Sequence, residues 1–147
     1  MNKLNILHLS TLLLYLALLS GCASLNDVVR EKESGAGGIT KTYPVSADEA
    51  WKIAMAVFRW EGSDAIEEHK DEGYMLTSSG MNFYSYGSVM GAWVRPVAQD
   101  SSAVTVVTKR RIQTNLFTTL TEETFHDRFS QGVQIVKSGR ALPAVAP

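Results

Sequence analysis

Cysteine is almost missing from this chain. Cys22 stands alone among 147 residues, so no intramolecular disulfide and no cysteine-based zinc site can form. Histidine is scarce too. His8 lies in the N-terminal apolar run, which leaves His69 and His126, far apart and without the spacing of metal ligands. A surplus of positive charge is absent: the formal net charge is −1, which removes the electrostatic footprint of a nucleic-acid binder. A membrane-spanning run is absent as well. The cleanest apolar block, Leu12 to Leu19, falls far short of the roughly 20 residues that a spanning helix needs. No Gly-Lys-Ser/Thr follows the glycine-rich stretches, which excludes a phosphate loop. Neither a Ser–His–Asp arrangement nor a metal motif stands out, so the expectation is a protein that is not an enzyme and carries no cofactor or metal.

What is present is an export segment followed by one globular domain. Hydrophobic residues at 45% and charged residues at 20% are ordinary globular values, and the length suits a single domain. Met1-Asn2-Lys3 is a short positive start, Leu4 to Leu19 is largely apolar, and small residues follow. Those are the marks of a secretory signal. The run ends in Leu19-Ser20-Gly21-Cys22. Small residues at 20 and 21 admit the backbone to a protease, and a thiolate is the side chain nucleophilic enough to be alkylated near neutral pH.

Leu19-Ser20-Gly21-Cys22 resembles the lipobox of bacterial lipoproteins, and the likeness covers residues 1–22. It implies a signal peptide over 1–21, cleavage between Gly21 and Cys22, and covalent diacylglycerol and an N-acyl chain on Cys22. Each buried methylene contributes about 0.8 kcal/mol, so several chains together hold what one chain holds only marginally. Ala23 and Ser24 follow the cysteine, with no Asp there. By the sorting rule of enteric-type lipoproteins this implies the outer membrane, facing the periplasm. Residues 22–38 read as a lipidated N-terminus and flexible tether, with mixed charges and then Ser34-Gly35-Ala36-Gly37-Gly38. A helix over Leu25 to Glu33 would shorten its reach.

The domain is expected over residues 39–140. Ile39 to Tyr43 reads as a strand that Pro44 ends. Ser46-Ala47-Asp48-Glu49 is a capping box opening a helix to about Trp60, with Ala50, Ile53, Ala54 and Val57 on its core face and Trp51 and Phe58 widening it. Residues 64–79 read as a hairpin turning at Asp71-Glu72-Gly73. Its charged set, Glu67, Glu68, His69, Asp71 and Glu72, cannot all converge, because adjacent strand residues face opposite ways. Gly80 to Gly91 mixes glycines and aromatics. It reads either as a contact loop built on Phe83, Tyr84, Tyr86, Gly87 and Gly91 or as a twisted strand. Ala92 to Arg95, ended by Pro96, and Ala103 to Thr108 form a second hairpin, closed by the exposed triplet Lys109-Arg110-Arg111. Asn115 to Thr119 connects to a helix capped by Thr119, with Phe125, Phe129, Val133 and Val136 as its core stripe, His126 and Asp127 exposed, and Gly139 as its end. Residues 141–147 read as a frayed tail.

This order predicts an α+β fold: a mainly antiparallel sheet of about five strands with two helices packed on one face, β-α-β-β-β-β-α. In element order it resembles the small helix-grip or TATA-box-protein-like domains of several envelope lipoproteins. Val104 to Phe129 is also similar to a family of uncharacterised proteobacterial envelope lipoproteins, from which no functional residues carry over. The implied function is a lipid-anchored, non-enzymatic module that contacts the membrane through its lipid and an envelope protein or the cell wall through its domain. The alternative is a binder or carrier of a small apolar ligand or lipid, in a pocket lined by Tyr74, Tyr84, Tyr86, Trp93, Phe125 and Phe129.

Overall fold

The computed structural model describes residues 23–63, 65–78, 88–110 and 121–147; of Arg110 only the backbone is described. Three helices and five strands follow one another: α1 (Leu25–Ser34), β1 (Ile39–Tyr43), α2 (Ala47–Trp60), β2 (Ile66–His69), β3 (Tyr74–Ser78), β4 (Ser88–Ala98), β5 (Ser101–Arg110) and α3 (Glu122–Lys137). The strands form one antiparallel sheet in the order β1-β5-β4-β3-β2. This is the expected α+β architecture. Short turns join β2 to β3 and β4 to β5, the connection between the paired strands β3 and β4 lies outside the described residues, and α2 carries the chain from one edge of the sheet to the other.

The sheet's pleat sorts its side chains into two cores. Toward one face point Met75, Met90, Ala92, Val94, Val104 and Val106, which pack against α2 and α3. α2 supplies Ala50, Trp51, Ile53, Ala54, Val57 and Phe58, the stripe its spacing predicts. Ser46 caps it as expected: its hydroxyl accepts from the Glu49 N–H at 3.3 Å, while the Glu49 carboxylate accepts from the Ser46 N–H at 2.9 Å. α3 supplies Phe125, Phe129 and Val133. The two helices meet closely because Gly132 has no Cβ; one built there would stand 2.6 Å from Cγ2 of Ile53. That methyl is fixed on a branched Cβ and cannot swing aside without changing rotamer.

The other face carries a second core of Val28, Leu76, Val89 and Val107, and α1 covers it. Here the structure corrects the sequence reading. The segment expected to be a flexible tether is a ten-residue helix whose Val28 is fully buried against the sheet. Leu25, Val28 and Val29 fall at helical spacing and pack on that core. The Asp27 carboxylate accepts from both the N–H and the hydroxyl of Ser24 at 2.8 Å, closing the first turn, and Gly35 closes the last at φ 67°. The folded unit therefore begins at Ser24 and not at Ile39, and the sheet is covered on both faces.

Other differences have local causes. β4 runs through Pro96 to Ala98 instead of stopping at Arg95. The β3 pairing ends at the bond from the Val94 N–H to the Gly73 carbonyl, 2.8 Å, so beyond Val94 the outer side of β4 has no strand partner among the described residues. A proline costs no ladder bond on such an edge, and the register shifts between Pro96 and Ala98. The turn itself is only Gln99-Asp100. The cap of α3 is Thr121, not Thr119: its hydroxyl accepts from the Thr124 N–H at 3.2 Å. The Glu122 carboxylate then accepts the Thr108 N–H at 2.7 Å, joining α3 to β5. The tail is tied at its start, where Leu142 packs on the core and the Trp60 indole N–H donates to the Pro143 carbonyl at 2.9 Å.

Candidate interaction surface

Gly21 and Cys22 lie outside the described residues. What is described begins at Ala23, which already packs against the core beneath α1. No helix among the described residues is long and apolar enough to cross a membrane. Of the contact-stretch residues, Phe83, Tyr84, Tyr86 and Gly87 lie outside the described residues, as do Arg111 and the connection from Asn115 to Thr119. Gly91 is placed, and it is a buried strand residue within β4. Its role is close approach: a Cβ there would lie 2.6 Å from two indole carbons of Trp93 and 3.0 Å from Leu76. The indole lies back over Gly91 and occupies the space a side chain would take.

That indole ends a row of rings across the sheet. Cross-strand pairing sets His69 opposite Tyr74 and Tyr74 opposite Trp93. The His69 and Tyr74 rings stack with centroids 4.4 Å apart, and Tyr74 and Trp93 follow at 5.7 Å. The charged set around His69 divides as strand geometry requires. Glu67 and Glu72 approach His69 at 2.7 and 3.7 Å on this face. Glu68 points to the other face, where its carboxylate accepts the Trp51 indole N–H at 3.0 Å. Among the described residues no three His, Cys, Asp or Glu side chains are grouped so as to hold a metal ion.

Beyond the row opens a groove of about 750 Å³. Its lining includes Lys32 from α1, Thr40, Trp93, Arg95 and Thr105. The Thr40 and Thr105 hydroxyls bond each other at 2.8 Å across the β1–β5 pair. Lys32 and Arg95 make no ion pair among the described residues. Asp48, Asp71 and Glu72 line it as well, with Lys70 held 3.8 Å from Asp48. Such a groove offers an aromatic edge, hydroxyls and both signs of charge. That suits a polar chain with alternating groups better than a polyanion or a purely apolar ligand. The basic triplet at the other end of β5 is less free than its sequence suggests: Lys109 is half-buried and pairs with Glu31 of α1 at 2.6 Å.

The pocket of the carrier reading is not assembled from the residues expected to line it. Phe125 and Phe129 lie in the core between the sheet and α2–α3, whereas Tyr74 and Trp93 lie on the α1 face. Tyr84 and Tyr86 are outside the described residues.

A further polar node escaped the sequence reading. His126 is fully buried, not exposed, while Asp127 is exposed as expected. The His126 Nε2 lies 3.0 Å from the Ile39 carbonyl, which can only accept, so Nε2 carries the proton. Nδ1 then accepts from the Tyr43 hydroxyl at 2.8 Å. Burial pushes the His126 imidazole below its ordinary pKa and pushes the Tyr43 phenol up to about 12. Both groups are neutral and satisfied, and together they fasten α3 to edge strand β1. The signal that could have shown this was the tyrosine ending β1: its inward hydroxyl needs a partner, and α3 must lie near it.

No protein-family model and no curated protein matches the chain.

Proposed function

We propose that this is an envelope lipoprotein, anchored by lipid on Cys22 in the outer membrane and facing the periplasm, whose domain works by contact with an envelope protein or the cell wall and not by catalysis. The observation that carries the reading is Leu19-Ser20-Gly21-Cys22 at the end of an apolar run, directly before a folded domain that starts at Ser24. The domain's chemistry agrees with a contact role. His69 is engaged by Glu67 and stacked on Tyr74, and His126 is bonded at both ring nitrogens, so neither ring is poised beside a nucleophile. The groove beside Trp93 offers such a partner hydroxyls, carboxylates and two cations, Lys32 and Arg95, that make no ion pair among the described residues.

The test is crosslinking in intact envelopes followed by purification, with the Cys22→Ser protein as control and an Arg95→Glu variant beside it. A partner captured by the native protein and lost or weakened in Arg95→Glu supports contact through the groove. A native protein that captures nothing beyond the Cys22→Ser control counts against an interaction module.

A further inference from the structure

α1 is shorter than the strands it covers. Its ten residues span about 15 Å, whereas β4 and β5, of eleven and ten residues, run about 35 Å. Part of that sheet face is therefore left open, and Thr40 and Arg95 are exposed on it. One rung of the pairing crosses all five strands there: His69, Tyr74, Trp93, Thr105 and Thr40 lie side by side. The first three carry stacked rings, and the last two carry hydroxyls bonded to each other. The groove follows this rung from Thr40 on β1 to Glu72 beside the start of β3, three strand spacings or about 14 Å.

The groups lining the groove narrow the class of ligand. Three carboxylates, on Asp48, Asp71 and Glu72, offset three cations, on Lys32, Lys70 and Arg95, so nothing favours a polyanion. The exposed charges of Arg95 and Asp71 are poorly matched to an apolar ligand. A peptide strand finds no ladder to join: β1, β5 and β4 already bond one another, and on the open side of β4 Pro96 has no N–H. A chain of neutral sugars fits. Every sugar hydroxyl both donates and accepts, so it needs donors and acceptors close together. The side chains of Lys32 and Arg95 and the Trp93 indole N–H are donors with no hydrogen-bond or ion-pair partner among the described residues. Asp71 and Glu72 supply acceptors. Trp93, half-buried and lining the groove, adds an aromatic surface for the C–H faces of sugar rings. The volume, about 750 Å³, is that of a ligand cleft.

Building on the contact role proposed above, we infer that this groove binds the glycan strands of the cell wall, with the sugar chain lying across β1, β5 and β4 against Trp93. The wall's peptide branches, which carry carboxylates and amines, then meet both signs of charge at the rim.

The test is co-sedimentation of the full-length chain, held in a polyoxyethylene detergent that carries no sugar, with protein-free cell-wall sacculi. A second preparation of sacculi has its peptides removed by an amidase, leaving bare glycan. The native chain sediments with both. Arg95→Ala and Asp71→Asn alter exposed side chains, keep the urea midpoint and lower the bound fraction several-fold. Lys52→Ala, in the separate cleft beside Trp60, leaves it unchanged. Binding that disappears when the peptides are removed, or that survives both groove variants, overturns the glycan inference. So does a chain that sediments with neither preparation. A protein partner captured by crosslinking and lost in Arg95→Glu would in that case keep the contact role while the glycan inference falls.

Discussion

His126 shows how a single side chain can stand outside a helix's obvious stripe and still be structural. Phe125, Phe129, Val133 and Val136 recur at helical spacing, and His126 lies beside that line. A stripe read from sequence shows the face turned to the main core. It does not show that α3 also leans on β1, where Tyr43 and the Ile39 carbonyl meet the imidazole. The node has a pH signature. Because burial holds the folded-state pKa of His126 below the ordinary 6.5, the unfolded chain binds the extra proton first. The contribution is thus fully present above 6.5 and is lost as pH falls toward the folded value. A urea series between roughly pH 5 and 7 should show stability rising with pH, and His126→Phe should flatten that slope. The same substitution leaves the Tyr43 hydroxyl without its nitrogen partner and should cost about 1–3 kcal/mol at neutral pH. An unchanged slope in His126→Phe would assign the pH dependence to other groups.

At the scale of elements, most of the sheet and both long helices were readable because each carries a strong local signal. The turn signal before β3, the β-branched run of β5, the capping box of α2 and the aromatic spacing of α3 each marked an element. α1 was not read as part of the fold, for a physical reason. Only Leu25, Val28 and Val29 are apolar in it, charged and polar residues fill the rest, and a glycine-rich stretch follows. So narrow a stripe supports a helix only where a sheet offers an apolar face to receive it, and Leu76, Val89 and Val107 supply that face from residues far along the chain. The glycines are the turn that returns the chain to β1, not the end of a tether. Val28→Ala should therefore destabilise the domain by about 1–2.5 kcal/mol, read as a lower urea midpoint. Amides of α1 should exchange in step with those of β4 and not with a free segment. A midpoint unmoved by Val28→Ala would restore the tether reading.

At the scale of the whole molecule, the folded unit takes in α1 and reaches back to Ser24. Helices on one face and α1 on the other close the sheet, leaving a short, charged edge at β2 and a proline at the open side of β4. The groove could not be read from sequence, because its lining comes from α1, β1, α2, the β4–β5 hairpin and the turn after β2. The proposed lipidation of Cys22 rests on its own four-residue context, and Cys22 precedes the first described residue, Ala23. Cys22→Ser should accordingly leave the urea midpoint where it is and release the protein from the membrane fraction.

The N-terminal peptide of the protein purified from native membranes tests the central claim most directly. Its intact mass should begin at Cys22, without residues 1–21, and carry diacylglycerol and a further acyl chain. A peptide that retains residues 1–21, or that begins at Cys22 with an unmodified thiol, would contradict the account.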